Sequence, residues 1–298
     1  MKVAVVLPVF NNLGFTQKCF RYFDDLIFSQ KFSHASFSVV VVDDGSTDGT
    51  GEWLLQNYPE VSVCKGDGNL WWSGGVNMGA KHAIHELNAD YLLLWNNDVI
   101  PSDDFFQQID RIVAEGSSDT LYGPKIYYAG EERIIWSCGG IFDPRKGRKY
   151  MLGFNQPEND AFNEPVDVDW LPGMGTLIPA TVVNKIGYWD ETYFPQYHGD
   201  SDYTLRAGEA GFRIVMDPKL ILWNDKSNSG LTHGNRIAGL YRMMFHMRSN
   251  DHIGKNLRFY RRHATSPMAY LYLVRYYTKL TGGFFKWKVL HLAGKKRQ

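Results

Sequence analysis

The chain has 298 residues, 44% hydrophobic and 15% aromatic, with 32 Lys/Arg against 32 Asp/Glu; that is enough apolar material for one large domain or two modest ones. The charge is unevenly spread: from Lys255 onward there are eleven Lys/Arg and no Asp/Glu, which leaves 21 against 32, a net of −11, in the first 254 residues. The acidic body argues against nucleic-acid binding, three scattered cysteines (Cys19, Cys64, Cys138) suit a reducing cytoplasm, and no apolar run is long enough for a signal peptide or a membrane span.

Residues 2–7 read as a buried strand stopped by Pro8, and residues 15–28 as a helix with Phe15, Cys19, Tyr22, Phe23 and Leu26 at helical spacing. Residues 39–42 form a second strand and 47–58 a helix capped by Thr47 or Asp48. Then come a third strand at 61–64, a helix at 75–87, a fourth strand at 91–95 and a helix at 103–114. This alternation predicts a parallel sheet with right-handed crossovers. From Leu121 the texture changes to strand pieces at 134–137, 166–170 and 176–179, between turns rich in Gly and Pro, with short helices at 182–186 and 201–209. The end of the chain reads as helical, interrupted at Gly282-Gly283.

Two apolar runs end in acid. Val39-Val40-Val41-Val42 meets Asp43-Asp44-Gly45-Ser46, and Tyr91-Leu92-Leu93-Leu94-Trp95 meets Asn96-Asn97-Asp98. In a parallel sheet such strand ends share the edge where ligands bind. The first acidic motif is either a turn with a helix cap or a pair of acceptors for a pyrimidine N–H or a ribose hydroxyl. Asn96-Asn97-Asp98 is either a turn or the seat of Mg²⁺ or Mn²⁺ bridging to substrate phosphates. Pro8-Val9-Phe10-Asn11 leaves the first strand at the same edge, as an ordinary turn or as support for a base. Residues 66–79 are rich in Gly and Asn and contain Trp71 and Trp72, which belong either to the core or to a loop that approaches a sugar-nucleotide. Asp200, in His198-Gly199-Asp200-Ser201-Asp202, is either a cap or a general base with Asp202 nearby and Arg206 one turn on. No glycine-rich phosphate loop of the dinucleotide or P-loop type is present, which argues against those chemistries. Residues 270–277 and 284–290 mix aromatics with bases, as helices lying in a membrane interface do, or as helices packed on the body or on another subunit.

In order along residues 1–225, these motifs resemble the family 2 inverting glycosyltransferases of the GT-A fold: Pro-Val-Phe-Asn, Val-Val-Asp-Asp-Gly-Ser, the Gly/Asn-rich loop, Asn-Asn-Asp, and Asp-x-Asp-x-x-x-Arg before Gly211. The chain is most similar to the bacterial branch of rhamnosyl-, galactofuranosyl- and N-acetylhexosaminyltransferases that build surface polysaccharides such as O-antigen and capsule. The resemblance implies an α/β fold, Rossmann-like, with a mixed central sheet and C-terminal helices. A catalytic domain at 1–235 would have a nucleotide-binding half (1–115) and an acceptor-binding half (116–235), followed by a basic, aromatic helical region at 236–298.

It further implies a UDP- or dTDP-sugar donor in a pocket built by Pro8, Phe10, Asn11, Asp43, Asp44, Asn69, Gly74 and Asn97. Mg²⁺ or Mn²⁺ would sit on Asp98, with His233 as a further ligand. Asp200 would be the catalytic base, supported by Asp202, Arg206 and His198. Trp71, Trp72, Trp170, Gly173 and Trp189 would surround the sugar and the acceptor. The acceptor would be a saccharide or a polyprenyl-diphosphate-linked saccharide. The protein would be cytoplasmic, in peripheral contact with the anionic inner face of the membrane, without nucleic-acid partners, and compatible with a homodimer.

Two positions depart from the family. Gly199 stands where the family often has Glu, and the place of a histidine metal ligand reads Leu222-Trp223-Asn224-Asp225. The first departure keeps a catalytically degenerate sugar-nucleotide-binding module as an alternative. A sugar-phosphate nucleotidyltransferase is another, although residues 8–15 lack its basic, glycine-rich loop.

Overall fold

The computed structural model describes residues 1–131, 133–225 and 237–292. Strand β1 (Lys2–Val9) is buried on both faces from Val3 to Leu7, which is why it reads as an unbroken apolar run rather than an alternating one. Helix α1 (Leu13–Phe23) ends in a π-helical turn (Asp24–Phe28), and β2 (Ser36–Asp43) returns parallel to β1, with Val5 opposite Val39 and Val9 opposite Asp43. Helix α2 (Thr50–Asn57), β3 (Ser62–Lys65), α3 (Trp71–His85) and β4 (Tyr91–Leu94) complete a parallel unit in the order β3-β2-β1-β4. Alternate residues serve opposite faces. Val3, Val5, Leu7, Val41 and Leu93 pack with Phe20, Phe23, Trp95 and Phe106; Ala4, Val6, Val40 and Leu92 pack with Val76, Ala80 and Ala83 of α3.

The rest of the sheet is mixed. After β5 (Val99–Pro101) and α4 (Phe105–Glu115) come β6 (Thr120–Tyr128), β7 (Ile134–Ser137), β8 (Gly140–Asp143), β9 (Arg148–Met151), β10 (Gln156–Pro157), β11 (Val166–Asp167) and β12 (Leu177–Pro179). Helices α5 (Ala180–Ile186) and α6 (Gly199–Glu209) precede β13 (Arg213–Asn224). Strand β12 runs antiparallel between β4 and β6, while β13 runs parallel to β6 and antiparallel to β5. Strands β8 and β9 form a separate ribbon.

Several elements differ from the sequence reading. The three-residue β5 and the full lengths of β6 and β13 are additional to the elements expected from the sequence; β6 contains Gly123-Pro124-Lys125 and β13 contains Asp217-Pro218-Lys219, which resemble turn signals. In β13 the register slips between Asp217 and Ile221, so the proline falls in an irregularity of the ladder. Lys125 in β6 is buried but paired with Glu158 at 2.7 Å. Helix α3 starts at Trp71, ahead of the predicted start at Gly75.

Two compact units result: residues 1–141 with 151–228, and residues 142–150 with 229–298. The second contains α7 (Ile237–Phe245), α8 (Ile253–His263) and α9 (Pro267–Leu292). Helix α9 runs through Gly282-Gly283 without interruption, because two glycines cost a long helix about 1 kcal/mol each and do not force a break. Helix α8 turns Phe259 and His263 edge-on to Phe142, and the Tyr260 hydroxyl donates to the Gly147 carbonyl. Asn256 of α8 donates to the Tyr277 hydroxyl of α9 at 2.8 Å. Among the described residues no helix is long and apolar enough to cross a membrane.

Candidate active site

Strands β1, β2 and β4 end at one edge, and their loops interlock there. Asn11 and Asn12 leave β1 in the left-handed region, at φ 57° and 61°. The Asn11 N–H donates to Ser46 Oγ at 2.8 Å, and the Thr47 N–H donates to Asn11 Oδ1 at 2.9 Å. Asn11 therefore ties the first loop to the acidic one. Phe10 stays 43% exposed beside it, while Pro8 lies under α3 against Gly75.

The two acids of the second loop have different partners. Asp43 accepts the Ser46 N–H at 2.9 Å. Asp44, only 6% exposed, accepts three backbone N–H groups: Gly68 at 2.8 Å, Leu70 at 3.0 Å and Trp71 at 3.1 Å. Helix starts leave such donors without intrahelical partners, and Asp44 supplies the missing acceptor from a distant loop. This explains why α3 begins at Trp71. Asn69 is exposed on the loop that Asp44 holds, and Gly74 is buried in the first turns of α3. The glycines of that helix serve packing: a Cβ at Gly79 would lie 2.6 Å from Val6 and 3.1 Å from Val42, so only glycine lets α3 rest this closely on β1 and β2.

Trp72 links three segments. Its Nε1 donates to Asn96 Oδ1 at 3.2 Å, and its N–H donates to Gln196 Oε1 at 3.3 Å. A Cβ at Gly173 would collide with the Trp72 ring, and one at Gly199 would collide with Ser73 Oγ and lie 3.3 Å from Trp72. Ser73 donates to the Phe194 carbonyl at 2.5 Å, and Asn77 exchanges hydrogen bonds with the Trp189 backbone at 2.9 Å each way. Gly199, the departure from the acidic family pattern, thus gives space to the Trp72–Ser73 corner of α3.

Asp200 opens α6 within this wall. Its Oδ2 accepts the Gly173 N–H at 3.2 Å, and its Oδ1 accepts the Ser201 N–H at 2.7 Å. The preceding residues, Tyr197 and His198, are both left-handed, at φ 64° and 61°. Such strain persists where surrounding contacts over-determine it, and His198 is buried edge-on to Phe194 at 6.0 Å. Asp202 and Arg206 pair with each other one turn further on. Asp202 is buried and accepts from Arg206 Nε at 3.0 Å, while the same guanidinium donates to the Ile186 and Tyr188 carbonyls at 3.1 and 3.0 Å. The pair fastens α6 to the turn after α5.

At the third loop, Asn97 donates to Thr16 Oγ1 at 3.1 Å. Asp98 Oδ1 is buried with no hydrogen-bond partner. Burial pushes the Asp98 carboxyl above its ordinary range, partly offset by its own backbone N–H, and the Asp225 charge at the end of β13 adds to the rise. Among the described residues no group of three or more His, Cys, Asp or Glu is gathered.

The structure therefore brings Trp72, Asn96, Gly173 and Asp200 into one wall, and Asn11, Asp43 and Asp44 into interlocked loops. Trp170 and Trp189 are 7% and 3% exposed, the first against Gly140 and the second stacked on Tyr203 at 3.8 Å. Trp71 is half-buried at the left-handed start of α3. His233 lies outside the described residues. Ser73, Asn77 and Gln196 are not among the expected site residues; Asp225 closes the segment 222–225 that stands at the place of the family's histidine ligand, and its signal is an acid ending an apolar run at 220–223.

A sheet edge with acids where β2 and β4 end, and a further carboxylate where α6 begins, defines the class. Residues 4–170, more than half of the chain, match the profile of Glycosyl transferase family 2, and the chain belongs to that family. The fold is GT-A. TarS 1–349 of S. aureus, in complex with UDP-GlcNAc, superposes with a TM-score of 0.55 at 18% identity, over 76% of this chain and 59% of that one. GalNAc-T7 with UDP, GalNAc and Mn²⁺ gives 0.58 at 10% identity, over 95% of this chain and 58% of that one. The chain thus spans less than two thirds of the length of either solved structure.

Among curated relatives, an N-acetylglucosaminyl-diphospho-decaprenol L-rhamnosyltransferase of Mycobacterium tuberculosis is 26% identical over 239 residues, covering 73% of this chain and 76% of that protein. The low-salt glycan biosynthesis hexosyltransferase Agl10 of Haloferax volcanii is 23% identical over 184 residues, covering 59% and 54%.

Proposed function

We propose that the protein transfers a sugar, with inversion, from a nucleotide-diphosphate donor to a hydroxyl of a saccharide carried on a polyprenyl diphosphate, in the assembly of a bacterial surface polysaccharide. The observation that carries this reading is the Asp200 carboxylate, aimed by the Gly173 and Ser201 N–H groups within the wall that Trp72 joins to Asn96, two residues before Asp98. Asp200 takes the acceptor hydroxyl proton. The acceptor oxygen bonds to the anomeric carbon as the bond from that carbon to the diphosphate oxygen breaks, on the opposite face. Asp43 and the exposed Phe10 serve the nucleotide; Trp71 and Trp72 serve the sugar.

A divalent cation fits this edge. Asp98 presents a buried oxygen without a partner, and Asp225 is near enough to act on its charge. Hard cations favour such carboxylate oxygens. Asp98 and Asp225 would hold Mg²⁺ or Mn²⁺, which supplies positive charge to a leaving diphosphate. An acceptor on a polyprenyl carrier sits in a bilayer, so the reading puts the work at a membrane surface on its cytoplasmic side.

The test is a melting-temperature panel of UDP-, dTDP- and GDP-sugars with and without Mn²⁺, followed by transfer to a lipid-linked saccharide. A rise with one nucleotide class, larger with Mn²⁺, and sugar transfer abolished in Asp200→Asn support the reading. Transfer that survives in Asp200→Asn removes that base. No response to any donor removes the transferase reading in favour of a degenerate module.

A further inference from the structure

The second unit holds eighteen Lys/Arg and two Asp/Glu, Asp143 and Asp251. It also carries eleven of the seventeen exposed large hydrophobic side chains among the described residues. Both features meet on α9. This helix turns Ala269, Leu273, Tyr277, Leu280 and Phe284 inward, at steps of three and four residues. The same spacing sets two stripes on the outer side. One is apolar: Leu271, Val274 and Phe285, at 62%, 62% and 53% exposure. The other, beside it, is basic and exposed: Arg275, Lys279 and Lys286. On α8, Leu257 and Arg258, Arg261 and Arg262 are likewise exposed.

We propose that this face of α9 docks the protein on an anionic phospholipid bilayer, the helix lying in the headgroup plane. An apolar stripe flanked by bases, on a helix too polar to cross, is the chemistry of an interfacial helix. The aliphatic and aromatic side chains enter the headgroup–acyl boundary while the bases meet lipid phosphate. A polyanion in solution would use the basic stripe and leave Leu271, Val274 and Phe285 in water. The α9 outer face from Pro267 to Lys286 contains no acid that would repel an anionic surface. Docking is independent of donor turnover, so it can fail while the transferase reading stands, and the reverse.

The experiment is flotation of the full chain with vesicles of phosphatidylcholine alone or mixed equally with phosphatidylglycerol. The expected result is co-flotation with the mixed vesicles only, reduced by salt. R275E/K279E/K286E, with an unchanged melting temperature, is expected to lower partition on the order of a hundredfold, at about fivefold per base. L271S/V274S is expected to bind at low salt and to wash off at moderate salt. Equal flotation of the charge-reversal variant overturns the proposal. So does binding to heparin but not to vesicles, or self-association lost in L271S/V274S without any vesicle binding.

Discussion

The two units of this chain are opposites that cancel. Residues 1–141 with 151–228 hold 14 Lys/Arg and 30 Asp/Glu, a net of −16, while residues 142–150 with 229–298 hold 18 and 2, a net of +16. The first unit buries its aliphatic runs on both faces of a sheet and delivers its carboxylates to one edge. In the second, helices α7, α8 and α9 leave aromatic and aliphatic side chains outside. The difference teaches that a net charge of zero describes neither part. A diphosphate entering a unit of −16 meets repulsion unless a cation screens it, whereas a unit of +16 meets an anionic surface directly. Salt should therefore weaken surface binding by the second unit, and a divalent cation should strengthen donor binding by the first.

The largest effect that would sharpen this comparison lies at Asp200. Asp200→Asn should lower the transfer rate by about a thousandfold or more, while the donor-induced rise in melting temperature persists. Loss of donor response as well would make Asp200 a structural residue of the first unit. Asp44→Ala leaves three N–H groups, two of them on half-buried residues, without their acceptor and should cost the first unit about 1–3 kcal/mol in urea unfolding. A change under about 0.5 kcal/mol would mean that water replaces the carboxylate.

Gly199→Ala introduces a Cβ against Ser73 Oγ and should cost about 1–3 kcal/mol. The double variant with Ser73→Ala should recover part of that loss, and strict additivity would show that the two positions are uncoupled.

Asp98→Asn removes a charge that burial disfavours. Because the folded-state carboxyl lies above its ordinary range, the native state binds the extra proton, and stability falls as pH rises from the usual carboxylate range through the raised folded value. Without metal, the variant should therefore melt higher than the parent at neutral pH, with the gap closing in acid. A parent that is the more stable at neutral pH without metal would contradict this. The smallest effect is expected in the second unit: R275E/K279E/K286E should shift stability by less than about 0.5 kcal/mol, because these side chains are exposed. A large loss would show that the basic stripe holds the helices together instead of meeting a surface.

Much of the first half was legible because its signals are local. Four valines followed by two aspartates announce a buried strand that delivers acid to an edge, and Trp95-Asn96-Asn97-Asp98 repeats the pattern. The sequence did not distinguish Asp43 from Asp44, since the acceptor role of Asp44 depends on N–H groups at residues 68–71. Gly199 reads in sequence as a missing acid, whereas its space is set by Ser73 and Trp72, more than a hundred positions earlier. Asp217-Pro218-Lys219 resembled a turn because the pairing of β13 with β6, which keeps the strand intact around a slip in register, comes from residues about ninety positions away.

Composition and spacing by themselves determined the parallel strands, the helices between them, the acidic edge and the basic helical end, because side-chain periodicity and capping act within a few residues. Only the tertiary structure decided which polar group each side chain serves, where α3 begins and which tryptophans are sealed in the core. Those outcomes depend on satisfying buried donors and filling space, and the atoms that do so come from segments the chain folding alone brings together.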